Sequence, residues 1–276
     1  MSRGIVICAG GAALAKRAAD TISALRSLGC MLPVELWHLS TETPAIVAGT
    51  SAHDGGQHCN GWALKPYAVQ QSEFSEVLLL DAGLRPLADP TPLFDNPAMS
   101  TGAMFWPDSF TIRLASPIWD FLGMEPRRVA AWDSGQIVID KMRCELPLAE
   151  TVALNTLAVH RIVYGDKDTW LLGWLKTNSP FSLCPFGPDI GVGGWRQHDW
   201  SGNAAFWHED RGLSANGRDK PGLSADTYDL RGVPVHRVGA AGLAQHVASG
   251  IRGSNPIVDR TTPLSQRRDR HGRLRK

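Results

Sequence analysis

The sequence has no long apolar run, no excess of charge of one sign and few cysteines. A membrane-spanning helix needs about 20 consecutive apolar residues, and the 276 residues contain no such run. The 28 Lys and Arg residues almost balance the 27 Asp and Glu residues, which leaves a formal net charge of +1. This balance predicts no general attraction to nucleic acid or to acidic membranes. The N-terminal residues run straight into a strand-like segment and then charges, unlike a secretion signal.

The cysteines and the absent motifs exclude further classes of protein. The five cysteines are scattered without a CxxC pair, which fits reduced thiols in a cytoplasmic protein. No HExxH, GxSxG, P-loop or GxGxxG pattern occurs, which argues against zinc proteases, serine hydrolases, P-loop NTPases and dinucleotide oxidoreductases. Tryptophan is abundant instead, with ten residues against three tyrosines. Indole rings suit both core packing and contact with sugar rings.

Alternating strand and helix patterns near the N-terminus predict an α/β fold. Gly10 and Gly11 form the turn between the first strand and the helix that follows it, and Gly29 is expected to end that helix. Strands are predicted at 4–9, 33–39 and 76–82, a loop at 40–61 and a helix at 63–74. This order predicts a mixed, mainly parallel central sheet of the nucleotide-binding kind. Ligands of such sheets gather at the carboxyl ends of the strands.

The remainder of the chain is predicted to complete one domain. Further strands are expected at 102–106 and 134–141, a long helix at 145–163 and a shorter one at 168–176. We expect a single domain over residues 1–250, of which 179–250 form an elaborated C-terminal part over the sheet. The basic segment 251–276 is predicted to be a disordered tail, either simply solvated or in peripheral contact with a membrane.

Polar residues that can carry chemistry follow several of these elements. Asp81 ends a predicted strand and is either a ligand for Mg²⁺ or Mn²⁺ or a turn former. In the segment WDSGQIVIDK, the side chains of Asp133, Ser134 and Gln136 could form hydrogen bonds with sugar hydroxyls. The alternative is a polar turn whose hydrogen bonds are all made within the protein. In YGDKDTW we favour Asp168 as a helix cap, which leaves the two residues before it, Asp166 and Lys167, for a ligand.

The segment GWRQHDWSGNAAFWHEDRG concentrates tryptophan, histidine and acidic residues. His208 stands beside two acidic residues and is either a Mn²⁺ ligand or an ordinary surface histidine.

Taken in order, these segments resemble one family. GIVICAGG, WALKPYAVQQSEFSEVLLLDAGLRPLADP, DSGQIVIDK, YGDKDTW and QHDWSGNAAFWHEDR are similar to the alpha-mannosyltransferases of glycosyltransferase family 71, over roughly residues 4–220. The resemblance implies a GT-A type fold and transfer of a mannosyl group from GDP-mannose with retention of anomeric configuration. It also implies a divalent metal, Mn²⁺ or Mg²⁺, and a nucleotide-sugar donor with a glycan or lipid-linked acceptor.

The resemblance also assigns roles to individual residues. Asp81 and His208 match the metal ligands, and Asp166 and Asp133 are the candidate catalytic carboxylates. The implied donor-binding residues are Cys8, Ala9, Gly10, Lys65, Asp81, Ala82, Gly83, Ser134, Gly135, Gln136, Lys167 and Lys220.

One departure from the family pattern affects the metal site. The family has Asp-Ala-Asp where this chain has Asp81-Ala82-Gly83, so the second carboxylate is missing. Either metal binds more weakly, or cationic side chains such as Lys65, Arg85 or Lys220 replace it, or catalysis is lost. We therefore expect a retaining hexosyltransferase, with a catalytically inactive nucleotide-sugar or glycan-binding protein as the alternative. Because the sequence shows no counterpart of the amino-terminal membrane anchor of fungal members, we expect a bacterial-type cytoplasmic enzyme, either free in the cytoplasm or peripheral to the inner membrane.

Overall fold

Two β-sheets and six α-helices make up the described part of this computed structural model, which comprises residues 1–56, 61–163, 165–209 and 223–224. The strands are β1 (Arg3–Cys8), β2 (Val34–His38), β3 (Thr50–Asp54), β4 (Glu76–Asp81), β5 (Arg85–Pro86), β6 (Ala103–Ile112), β7 (Ala130–Asp140), β8 (Ser182–Leu183), β9 (Asp189–Gly191), β10 (Gly194–His198), β11 (Ala204–Glu209) and β12 (Leu223–Ser224). The helices are α1 (Gly11–Ser27), α2 (Leu64–Gln71), α3 (Ile118–Leu122), α4 (Glu145–Leu154), α5 (Leu157–His160) and α6 (Asp166–Thr177).

The central sheet is mixed, as the sequence predicts. Its strands follow the order β12-β6-β7-β4-β1-β2-β3, and β8 pairs with β6. Strands β4, β1, β2 and β3 run parallel, whereas β7 is antiparallel to both β4 and β6. The α/β class with a mixed, mainly parallel sheet is therefore confirmed. In the register of β1 and β4, Cys8 lies opposite Asp81, so both strands end at the same edge.

Helices cover both faces of this sheet because its inner strands are apolar on both sides. Along β1, Ile5 and Ile7 pack with α1, while Val6 packs with α2, α4 and α6 on the other face. Helix α1 ends where the sequence predicts. Gly29 follows it at φ +88°, and the backbone N–H of Cys30 donates to the carbonyl of Leu25. This left-handed turn is one that glycine adopts without steric cost.

A second, antiparallel sheet has the order β5-β11-β10-β9. Strand β5 follows β4 almost directly, and it pairs with β11 through Trp207 opposite Arg85 and Phe206 opposite Pro86. Phe206 is buried in the same core as α1 and the strand residues of that face. The last strands before residue 210 are thereby held against the carboxyl edge of the central sheet.

The expected loop at 40–61 is wrong over part of its length, because β3 lies within it. Strand β3 pairs in parallel with β2, with Val34 opposite Thr50 and His38 opposite Asp54. It is the edge strand of the sheet, and most of its residues are exposed. An edge strand exposed on both faces shows no apolar alternation, so the sequence pattern of a strand is missing there.

The expected single helix at 145–163 is divided into α4 and α5. The side-chain amide of Asn155 donates to the carbonyl of Thr151 and to the hydroxyl of Thr169 in α6. The Thr156 hydroxyl then accepts from the backbone N–H of Val159 and caps α5. Side-chain competition for backbone partners ends one helix and starts the next.

None of the helices in the described residues is both long enough and apolar enough to cross a bilayer. The basic segment 251–276, for which a peripheral membrane contact is expected, lies outside the described residues.

Candidate functional site

A buried ammonium between two carboxylates lies at the carboxyl edge of the central sheet. The Nζ of Lys65 is 2.6 Å from Oδ1 of Asp81 and 3.3 Å from Oδ2 of Asp166. The side chains of Lys65 and Asp166 are 13% and 8% exposed. Burial alone would lower the pKa of Lys65, but Asp166 and Asp81 raise it above its ordinary value. The ammonium of Lys65 is therefore the charged form that this pair of carboxylates favours.

Three separate elements bring these charges together. Asp81 is the last residue of β4, Lys65 lies in the first turn of α2, and Asp166 is the first residue of α6. An acidic side chain in the first turn is favoured by the helix dipole. Helix α6 begins at Asp166, so the expected role of Asp168 as its N-cap is wrong, and Gly165 takes the cap position.

Gly165 is needed there for two reasons. Its φ of +107° is one that other residues rarely adopt, and an added Cβ would lie 2.6 Å from the indole ring of Trp62. Trp62 lies two residues before the start of α2, and it is 49% exposed. A half-exposed indole therefore lies beside the Lys65 cluster.

His208, at the end of β11, connects Asp81 to a second carboxylate. Its Nε2 is 3.6 Å from Oδ2 of Asp81, and its Nδ1 is 3.3 Å from Oδ2 of Asp133. Burial would lower the pKa of His208, but Asp133 and then Asp81 raise it above its ordinary value. The imidazole therefore lies between two anionic groups, one on each side.

Asp133 accepts hydrogen bonds on both of its oxygens. The indole Nε1 of Trp195 and the amide Nε2 of Gln197 each donate to Oδ2 at 2.9 Å, beside the Nδ1 of His208. The backbone N–H of Gly135 donates to Oδ1, also at 2.9 Å. Burial would raise the pKa of Asp133, but the charge of His208 and these donors lower it well below its usual range. Asp133 is therefore a buried, permanently ionised group.

The turn that follows Asp133 approaches His208 closely. A Cβ on Gly135 would lie 2.6 Å from Cε1 of His208, so only glycine leaves room for the imidazole. Both the carbonyl and the hydroxyl of Ser134 lie 3.4 Å from Nζ of Lys65. The structure thus brings Ser134 and Gly135 to the site that the sequence predicts for them.

Gln136 is fully buried, and neither atom of its side-chain amide has a hydrogen-bond partner among the described residues. It lies opposite Leu80, one residue before Asp81. Buried amides are nearly always paired with protein, water or ligand. This amide is therefore an open donor and acceptor next to the strand end that carries Asp81.

The loop after β1 lies beside the same edge. Gly10 forms a bridge with Pro44, and the carboxylate of Glu42 lies where a Cβ on Gly10 would be placed. The predicted donor-binding residues Cys8 and Ala9 lead into this turn, and Cys8 is half-buried. On the neighbouring strand Ala82 is buried, and Gly83 has a φ of +92°.

One other predicted donor-binding residue, Lys167, has its own partner outside this cluster. Lys167 forms an ion pair with Asp108 at 2.5 Å, with both side chains largely buried. Burial would lower the pKa of Lys167, but Asp108 raises it. Lys167 therefore already has a carboxylate partner, and its role in donor binding stays a prediction. Lys220 lies outside the described residues.

Sequence reasoning missed three residues that contact the site, Trp62, Trp195 and Gln197, and it also missed Asp108, the partner of Lys167. Each of them acts on a partner that is more than 50 residues away in sequence, such as Trp195 on Asp133. No local spacing signals such a pair. The abundance of tryptophan was the available signal, and it does not indicate which tryptophan side chains lie outside the hydrophobic core.

A divalent ion fits two side chains of the site. Among the described residues no group of three His, Cys, Asp or Glu side chains forms a metal-binding cluster. Oδ2 of Asp81 and Nε2 of His208 are 3.6 Å apart, and two ligands of one octahedral ion with bonds of about 2.1 Å lie about 3 to 4 Å apart. The hydrogen bond from Nδ1 to Asp133 orients the ring as a carboxylate orients a metal-binding histidine. Gly83 has no side chain that could supply a further ligand.

Comparison with known proteins relates part of the chain to glycosyltransferases. Residues 2–131, just under half of the chain, match the model of a family described as "Mannosyltransferase putative". That match includes Lys65 and Asp81 and ends before Asp133. No curated protein sequence gives a significant match.

Several solved glycosyltransferases share part of the topology at low identity. GlyE of Streptococcus pneumoniae TIGR4 is 16% identical with a TM-score of 0.42, covering 66% of this chain and 45% of GlyE. The bifunctional glycosyltransferase WbbM is 13% identical with a TM-score of 0.47, covering 80% of this chain and 45% of WbbM. Mouse xyloside xylosyltransferase 1 is 13% identical with a TM-score of 0.45, covering 70% and 89%. The chain spans less than half the length of GlyE and of WbbM.

Proposed function

We propose that this protein is a retaining glycosyltransferase of the GT-A type. It transfers a hexose from a nucleotide sugar to a hydroxyl group of a glycan or lipid-linked acceptor. Mannose and GDP-mannose are the first candidates because of the family matched by residues 2–131, and UDP-sugars follow. The observation that carries the proposal is the ammonium of Lys65, held between Asp81 and Asp166 at the carboxyl edge of the sheet.

The chemistry requires stabilisation of a departing diphosphate. The bond between the anomeric carbon and the diphosphate oxygen breaks, and its electron pair leaves with the diphosphate. The positive charge of Lys65 stabilises that developing negative charge in a site shielded from water. The acceptor oxygen forms the new bond on the same face of the sugar, and its proton passes to the departing diphosphate.

Asp166 is the carboxylate that we assign to the reacting sugar. It is buried at the start of α6, and Oδ2 has no hydrogen bond of good geometry among the described residues apart from its ion pair with Lys65. It stabilises the positive charge that develops on the sugar ring. Asp133, the other catalytic candidate from the sequence, has both oxygens occupied by donors. We therefore assign it to positioning His208 and not to contact with the substrate.

Mn²⁺ or Mg²⁺ would be held by Asp81 and His208, with the diphosphate completing its coordination. When bound, the ion neutralises negative charge on the leaving group. The chain's own contribution is to hold Nε2 of His208 toward Asp81 through the hydrogen bond of Nδ1 to Asp133.

Donor binding is tested by thermal shift with GDP, UDP and their hexose conjugates, each with Mn²⁺ and with a chelator. A ligand at 100 times its Kd stabilises the fold by about 2.7 kcal/mol. If one nucleotide raises the melting temperature, and does so only when Mn²⁺ is present, that nucleotide identifies the donor and the metal site is supported. If the rise is the same with the chelator, the protein's own cations supply the positive charge that the diphosphate needs. The absence of any shift would refute the proposal.

Transfer is tested with Asp166→Asn, a nearly isosteric change, beside Asp120→Asn as a matched control on the exposed side of α3. We expect Asp166→Asn to lose transfer to acceptor or water while it still binds donor, and Asp120→Asn to keep both. An Asp166→Asn variant with full activity would remove this carboxylate from the mechanism.

The alternative is a protein that binds nucleotide sugar or glycan without turnover. Gly83 favours it, because the missing carboxylate weakens any metal site. Restoring the carboxylate by Gly83→Asp is a strained change, since Gly83 has a φ of +92°. Wild-type protein that binds a donor, yet releases no nucleoside diphosphate with any acceptor or with water, would support this alternative.

A further inference from the structure

Arg17 presents an unpaired guanidinium nitrogen near the site. It lies in the second turn of α1, and its Nη1 is shielded from solvent with no hydrogen-bond partner among the described residues. The nearest carboxylate oxygen, Oε2 of Glu209, is 3.6 Å away, and the Glu209 side chain is 55% exposed. That distance is longer than a hydrogen bond. The charge of Arg17 is therefore only loosely paired, although a guanidinium normally satisfies its buried N–H groups.

Helix α1, which carries Arg17, packs against the loop that contains Gly83. One turn further along the helix, the hydroxyl of Thr21 accepts from the backbone N–H of Gly83 and donates to the carbonyl of Leu84, both at 3.0 Å. Residues four apart share one helix face, so Arg17 and Thr21 face the same loop. Arg17 is nearer to the start of α1, which is the end at the carboxyl edge of the sheet, where Asp81 lies.

The second sheet brings the same residues together from the other side. Trp207 lies opposite Arg85 in the pairing of β11 with β5. If this antiparallel register is extended by two residues beyond Trp207, Glu209 comes to lie opposite Gly83. Glu209 directly follows His208, whose Nε2 faces Asp81. Side chains alternate along a strand, so Glu209 and its partner Arg17 lie on the other face of β11 from His208, at the level of Gly83.

We propose that Arg17 binds the diphosphate of the donor, in the space beside Gly83 where the family pattern has a second metal-binding carboxylate. This proposal rests on the proposed function. A guanidinium has five N–H donors in a planar fork and binds phosphate oxygens in pairs. The cation of a side chain then supplies part of the positive charge for which a metal is otherwise needed. Lys65 and Arg17 hold the diphosphate from opposite sides of Asp81.

Binding measurements on Arg17→Ala test this assignment, with Lys16→Ala as the matched control. Lys16 is the adjacent residue of α1, is 77% exposed and pairs only with Asp20 on the same helix. The probes are GDP and UDP, the corresponding nucleosides, and inorganic pyrophosphate, titrated by calorimetry. Loss of charge-assisted hydrogen bonds should weaken diphosphate binding about 10-fold to 100-fold. Nucleoside binding should not change, and Lys16→Ala should behave as the wild type does.

Two further variants separate ligand binding from a structural role. Arg17→Lys keeps the charge and should recover part of the pyrophosphate affinity. Glu209→Gln removes the loose ion pair and should leave diphosphate affinity unchanged or raise it. If Arg17 served only to hold α1 against β11, Glu209→Gln and Arg17→Ala would lower the melting temperature equally and leave diphosphate affinity intact, which would overturn the assignment.

The outcomes also separate this assignment from the proposed function. Wild-type protein that binds GDP or UDP, together with an Arg17→Ala variant of equal affinity, would refute the role of Arg17 alone. Wild-type protein that binds none of the probes would refute both.

Discussion

Lys65→Met removes the ammonium that lies between Asp81 and Asp166, and we expect it to destabilise the fold strongly. The side chain of Asp166 is 8% exposed and that of Asp81 25%, so two poorly solvated carboxylates lose their counter-charge. Breaking a buried ion pair by removal of one partner costs about 3–5 kcal/mol. A domain of about 200 residues loses about 2–4 °C of melting temperature per kcal/mol. The expected fall in Tm is therefore about 6–20 °C, measured by calorimetry or circular dichroism.

Lys176→Met is the matched control for this experiment. Lys176 also pairs with a carboxylate, Glu150, at 2.5 Å, but its side chain is 40% exposed. Exposed pairs contribute about 0.2–1 kcal/mol, so the control should lose at most a few degrees. If Lys65→Met lost no more stability than Lys176→Met, the reasoning from buried charge would be refuted.

A compensated variant separates stability from function. In Lys65→Met combined with Asp81→Asn and Asp166→Asn, no charge is left without a partner in this cluster, and most of the lost stability should return. Donor binding should not return, because the cation that faces the diphosphate is still missing. A compensated variant that binds GDP or UDP as tightly as the wild type would contradict the role of Lys65.

Two further predictions concern the surroundings of the cluster. Gly135→Ala places a Cβ 2.6 Å from Cε1 of His208, so it should displace the imidazole and abolish transfer in a turnover assay. In the control Gly187→Ala the new Cβ meets no atom within 4 Å, so its activity should equal that of the wild type. Equal activities of the two variants would show that His208 is not needed in its position. Cys8, half-buried at the end of β1, should react with iodoacetamide at pH 8 more slowly when donor is bound, as followed by peptide mass spectrometry. Cys144, whose pKa burial raises to about 12, should stay unlabelled with or without donor, and a donor that fails to protect Cys8 would place the nucleotide elsewhere.

The strands that carry the edge of the site could be predicted from the sequence because their signals are local. The run EVLLLD is apolar up to Asp81, and a buried strand that ends in a carboxylate places it at the ligand-binding edge. Lys65 was expected near the diphosphate from its place in WALKPYAV. The ion pair of Lys65 with Asp81 was not predicted, because no local pattern joins a residue of α2 to the end of β4.

The contacts of Asp133 could not be predicted, because they come from a different sheet. As a residue in a polar turn, Asp133 was read as a catalytic carboxylate or as a structural group. Trp195 and Gln197 donate to it, and both lie more than 60 residues further along the chain. Lys167 is a similar case, since its partner Asp108 lies 59 residues before it. Tertiary pairing of this kind leaves no spacing pattern in the sequence.

Strand β5 follows the Asp81-Ala82-Gly83 turn almost directly in the sequence, whereas its partner strand β11 comes about 120 residues later. Closing so long a loop is entropically costly, and contacts of large sequence separation form slowly. The parallel strands and their helices are complete earlier on the growing chain and contain Lys65 and Asp81 but not His208. The approach of His208 to Asp81 therefore depends on the pairing of β11 with β5. A chain that ended before β11 would keep Lys65 and Asp81 but would have no imidazole to place beside them.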